Sequence, residues 1–120
     1  MIALENGDKL QGDATAALKV DYTIHGVVGS TITQQADGQF PSSIGDLYTS
    51  SANATVVAAI SIVNTNTIVE TINLYLLPSG GTARRLIPKD TRLEPGDLLL
   101  FDGRRLTTMD TSGAIKVREI

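Results

Sequence analysis

The sequence predicts an all-β protein: a small antiparallel β-sandwich or jelly-roll-like domain, residues 17–120, preceded by an extended N-terminal arm, residues 1–16. Three observations carry this prediction. Short apolar runs alternate with turn signals through residues 47–102 and leave no stretch with helical spacing. Gly and Pro recur where tight turns require them, as in Glu94-Pro95-Gly96-Asp97 and Asp102-Gly103. A chain of 120 residues without Cys is one domain whose core must do without disulfide staples.

Each element has its own signal. Residues 1–16 are small and polar, with Gly7, Gly12 and three Ala, so they read as an arm that needs a partner to become ordered. Leu18, Val20, Tyr22 and Ile24 then alternate with Lys19, Asp21 and Thr23, the pattern of a half-buried strand. Residues 26–45 are rich in Gly, Ser, Thr and Gln, which predicts a weak strand at 30–34 and a crossing loop, held extended at Phe40-Pro41.

Leu47-Tyr48-Thr49 reads as a short strand and Ser50-Ser51-Ala52-Asn53 as a turn. Residues 55–64 form a long central strand with faces Val56, Ala58, Ile60, Ile62 and Val57, Ala59, Ser61, Val63. Both faces are apolar, so both must be covered. Asn64-Thr65-Asn66-Thr67 turns the chain into residues 68–77, expected to return as the second arm of a hairpin with Ile72, Leu74 and Leu76 inward. A strand at 83–87, a type II turn at Glu94-Pro95-Gly96-Asp97 and the apolar run Leu98-Leu99-Leu100-Phe101 follow. Asp102-Gly103 is expected as a two-residue turn into a strand at 104–109. After Ser112-Gly113 the last strand is expected to turn Ile115 and Val117 inward and Lys116 and Arg118 outward.

Charge narrows the partners. The net charge of −3 divides into −4 over residues 1–52 and +1 over the remainder, with all six Arg between Arg84 and Arg118. That asymmetry is compatible with head-to-tail packing and equally with a solvated surface. Net acidity and five aromatics placed singly, Tyr22, Phe40, Tyr48, Tyr75 and Phe101, argue against a nucleic-acid partner. The N-terminus lacks the basic start and apolar run of a secretory signal, which predicts synthesis in the cytoplasm. The longest apolar run falls well short of the about 20 residues of a membrane helix, so no membrane partner is expected.

Motifs for catalysis are missing from the sequence. His25 stands without a Gly-x-Ser-x-Gly elbow, and one His with no Cys does not make a zinc site. Asp8, Asp13, Asp90, Asp97 and Asp102 occupy turn contexts where Asp is the ordinary residue. Gly80-Gly81-Thr82 lacks the Gly-Lys-Ser/Thr ending of a phosphate loop. Arg84-Arg85 and Arg104-Arg105 each place at most one Arg on a given strand face. The expectation is a non-enzymatic protein with no catalytic residue, no metal site and no cofactor.

The series Leu47-Tyr48-Thr49, Asn64-Thr65, Leu74-Tyr75-Leu76 with Pro78-Ser79-Gly80-Gly81, Arg84 through Asp90, and Leu93-Glu94-Pro95-Gly96-Asp97 resembles a group of small structural proteins of tailed bacteriophages. The resemblance covers residues 38–103; at Leu106-Thr107-Thr108-Met109-Asp110 the chain lacks the Gly with which such proteins often open a closing strand. It implies a virion protein, decorating or cementing the capsid as a homo-oligomer, a trimer or dimer; the alternative is a receptor- or glycan-binding module of a tail fibre or baseplate, acting through loops 64–67 or 78–82. On that reading Val57, Ala59 and Val63 are expected to form the oligomer interface, and Leu4, Lys9 and Leu10 of the arm to contact the capsid.

Overall fold

Strands with an apolar residue at every second position must bury that face against another layer, which in an all-β chain is a second sheet. In the computed structural model, which describes residues 1–52 and 54–117, that requirement is met by two antiparallel sheets. The first contains β1 (Ile2–Leu4), β3 (Val20–Val28), β4 (Thr31–Gln39), β6 (Thr55–Asn64), β10 (Leu98–Phe101), β11 (Leu106–Met109) and β12 (Ile115–Val117). They run in the order β12-β11-β10-β6-β3-β4, with β1 and β10 sharing one side of β6. The second holds β2 (Lys9–Ala14), β5 (Gly45–Thr49), β7 (Glu70–Leu77), β8 (Arg84–Arg85) and β9 (Thr91–Leu93), with β2 between β5 and β7.

The expected sandwich is therefore present. Between the sheets Ile24, Ile60, Ile62 and Leu99 of the first meet Leu10, Ile72, Leu74 and Leu93 of the second, all fully buried. Tyr22 crosses the gap: its ring stands edge-on to Phe40, 5.6 Å between centroids, and its hydroxyl donates to the Leu47 carbonyl at 2.9 Å. The type II turn also forms, with Gly96 at φ 78° and the Asp97 amide donating to the Glu94 carbonyl at 3.0 Å.

Residues 1–16 are not an arm, and the domain boundary at 16/17 does not exist. β1 pairs with β6 from Ile2↔Val57 to Leu4↔Thr55, and β2 is an interior strand of the second sheet, paired on both sides. Composition misled because, after Met1, the only large apolar residues are Ile2, Leu4 and Leu10; their alternation with small or polar residues is what a strand with one buried face requires.

β6 and β7 are not a hairpin. They lie in different sheets, and residues 65–69 carry the chain over the end of the core. Two fully buried polar side chains hold that crossing. Asn64 donates to the carbonyls of Ile68 and Leu93 at 3.0 and 2.9 Å, and Glu70 accepts from the Ala16 amide and the Asn66 side chain, both at 2.9 Å.

Smaller departures have local causes. β4 runs through Gln39, because β3 offers it a partner along its whole length. Leu18 precedes the strand with φ 62° and an exposed side chain. Phe101↔Leu106 pairing leaves a four-residue loop after β10, in which Asp102 Oδ1 accepts the amides of Arg104 and Arg105 at 2.9 and 2.7 Å. In β12 the facing is reversed: Ile115 is exposed, whereas Lys116 reaches the nearly buried Asp97 at 2.9 Å. The expected facing of the Val117 side chain and of Arg118, and the place of Asn53 in its turn, lie outside the described residues.

Candidate functional site

With the interior filled by side chains, the surfaces available for recognition are the two outer faces and the loops. The structure distributes the sequence-predicted site residues unexpectedly. Leu4 and Leu10 are 1% and 0% exposed and belong to the core, so they offer no surface to a partner; of the three predicted contact residues only Lys9 reaches the surface. Val57 is 1% exposed and faces inward, whereas Ala59 and Val63 are half-buried on the outer side of the first sheet.

A β-bulge explains the split. His25 pairs with Ala59 and Gly26 with Val57, which leaves Ala58 without a partner and moves β6 by one residue. Outward positions are thus Val63, Ser61 and Ala59 on one side of the bulge and Val56 on the other. β4 bulges at the same level, between Gln34 and Ala36, and the Gln35 amide donates to the Val56 carbonyl at 3.0 Å. Only glycine fits at position 26: a Cβ there would sit 1.9 Å from the Val56 oxygen and 2.8 Å from Gln35 Nε2.

The outer face of the second sheet is a connected polar plate. Asn73 of β7 is its centre: the amide donates to Asp13 at 2.8 Å and Asp90 at 3.0 Å, and its oxygen accepts from Arg85 at 2.5 Å and the Asp90 amide at 2.9 Å. Both donors and both acceptor positions of that side chain are used. Tyr75 donates to the second oxygen of Asp13 at 3.1 Å, under the Arg85 guanidinium 5.1 Å from its ring centre. Burial, and then the Asp13 carboxylate, push the Tyr75 phenol above its ordinary pKa. Beside it Asp46 takes Lys9 at 2.8 Å and Gln11 at 2.7 Å, bonds that hold its carboxyl below the usual range. Chemically the plate is a set of charges that satisfy one another.

The outer face of the first sheet is its opposite. Register lines up Ile115, Met109, Leu98 and Val63 in one row across β12, β11, β10 and β6, and Thr107, Leu100, Ser61 and Thr23 in the next. At the far end of the sheet Ile32, Val27, Val56 and Ala3 form a further row, with Ile32 87% exposed. A shallow groove of about 220 Å³ is lined by Ala59, Leu100, Phe101 and Thr107 together with the charged Asp102 and Arg105. Charges flank these rows: Asp21 and Asp37 on β3 and β4, Arg105 at the turn before β11.

No family model, curated protein or solved structure matches this chain. Its geometry and sequence therefore carry the functional reading. Among the described residues no group of three or more His, Asp or Glu side chains is placed to hold a metal ion. His25, the one histidine, is exposed on the outer side of β3. Of the two loops proposed for ligand recognition, 64–67 uses its Asn64 and Asn66 side chains on its own backbone and on Glu70. Loop 78–82 is the more open, with Ser79, Gly80, Gly81 and Thr82 exposed and the Ser79 amide held by Asp8. The polar plate went unnoticed in the sequence because its members, Asp13, Asn73, Arg85 and Asp90, come from three separate segments. The alternation that turns Asn73 and Tyr75 outward was its only signal.

Proposed function

We propose that the protein is a non-enzymatic structural component of a phage particle, binding the capsid surface as a decoration or cement protein in homo-oligomeric form. The observation that carries the reading is the contrast between the outer faces: a charged, hydrogen-bonded plate on one sheet and, on the other, a face whose middle strands β6 and β10 are uncharged and mostly apolar. Such a domain is suited to being held between protein surfaces, one polar contact and one apolar. The strand-and-turn series through residues 38–103 that resembles phage structural proteins supports the particle setting. In this reading capsid contact belongs to the plate around Lys9, Asp46 and Arg85 instead of to an arm.

Cosedimentation tests it. The purified protein, mixed with intact particles, empty capsids and isolated tails of the phage that encodes it, is expected on capsids in a copy number set by the shell lattice. A few copies found only with tails, or saturable binding to host cells without capsid binding, would replace decoration by a fibre or baseplate role.

A further inference from the structure

We infer that the outer face of the seven-stranded sheet is covered by the same face of a second copy of this chain, the two related by a two-fold axis parallel to the strands. The inference concerns self-association alone and stands independently of the particle reading.

The argument begins with what the face lacks. Outward positions of β6 and β10 are Val56, Ala59, Ser61, Val63, Leu98 and Leu100, so its two middle strands carry no charge. Strands neighbour one another at about 4.8 Å and rise about 3.3 Å per residue, so six strands of this length present an area comparable to the roughly 800 Å² per partner of a standard interface.

Charge then selects the occupant and its orientation. The β3–β4 side of the face bears exposed Asp21 and Asp37, which accept from Gln39 and Gln34 and keep their negative charge, and the opposite side ends in the exposed turn of Asp102, Arg104 and Arg105, where the two Arg outweigh the one Asp. Two copies can stack with the axis along the strands or across them, within the plane of the interface. An axis across the strands sets the acidic side over its own copy, which repels. An axis along the strands sets β3 and β4 of each copy over β10 and β11 of the other, acidic side against Arg105. It also preserves the level along the strands, so that Ile32 of one copy comes over the end of the sheet where Ala3 of the other lies, apolar against apolar. A polar partner gains nothing from the middle of this face, and an apolar partner of uniform charge meets repulsion at one of its two sides.

Sedimentation equilibrium of the full chain tests the inference, with melting and circular dichroism as controls for folding. A dimer is expected. Leu100→Glu, at a half-buried outward position, should shift it to monomer. Arg105→Glu and Asp37→Arg, both at exposed sites, should each weaken it by about ten-fold, and the double variant should recover most of the loss. A monomer at all concentrations overturns the inference, and so does a dimer that Leu100→Glu leaves intact while folded. If Leu100→Glu fails to fold, the charge pair decides: a double variant as weak as the sum of the singles excludes the proposed orientation.

Discussion

Asn73 on the five-stranded sheet and Ser61 on the seven-stranded sheet are both outward residues of an interior strand. Asn73 makes four side-chain hydrogen bonds of 3.0 Å or less, whereas Ser61 stands in register between Leu100 and Thr23. The pleat is the same in both sheets, and the difference lies in what the neighbouring strands bring alongside. β2, β8 and the segment after β8 bring Asp13, Arg85 and Asp90 to Asn73, so polar groups complete one another without a partner molecule. β3 and β10 bring Thr and Leu to Ser61, so that face keeps apolar area in contact with water. Covering the apolar face lowers the free energy by removing that area from water, whereas a plate whose polar groups already complete one another can add only charge complementarity to a contact.

The strongest way to break this contrast is to remove the strand that both sides of the plate depend on. Deleting residues 1–16 takes away β1 and β2, and with β2 the pairing of both β5 and β7. The truncated chain is expected to give no cooperative unfolding transition by circular dichroism. A folded truncated protein would restore the arm and remove the plate from the structural framework.

A smaller change sharpens the contrast. Asn73→Ala leaves Asp13, Asp90 and Arg85 short of partners at a site only 6% exposed, and should cost about 1–3 kcal/mol in urea unfolding. Ser61→Ala, the equivalent truncation on the other face, should stay within about 0.5 kcal/mol. Equal costs would show that the plate is ornamental to stability.

Acid offers the mildest separation. The Asp46 carboxyl is held low first by Lys9 and then by Gln11. Because its folded pKa lies below the unfolded value, its contribution is present above the ordinary carboxylate range. It is lost as pH falls through the lower, folded value. Melting temperature followed from pH 7 to about 3 should therefore decline at the acid end, and Asp46→Asn should flatten part of that decline. An unchanged acid slope in that variant would remove the Lys9–Asp46–Gln11 group from the account.

What the residues announced by themselves was local. Alternation marked the strands around Val20 and Ile72, a nearly continuous apolar run marked residues 55–64, Pro95-Gly96 marked its turn, and the absence of helical spacing marked the class, because each depends only on neighbours within a few positions. The tertiary structure decided which sheet each strand joined. β6 and β7 read as a hairpin from adjacency, yet the two apolar strands gain more by facing one another across the core than by lying side by side. It also decided the facing of β6: one unpaired residue at Ala58 sent Val57 into the core and left Ala59 and Val63 outside. A period-two pattern fixes facing only while the register is unbroken, and the bulge follows from Gly26, Val56 and Gln35, residues of three strands that meet only after folding.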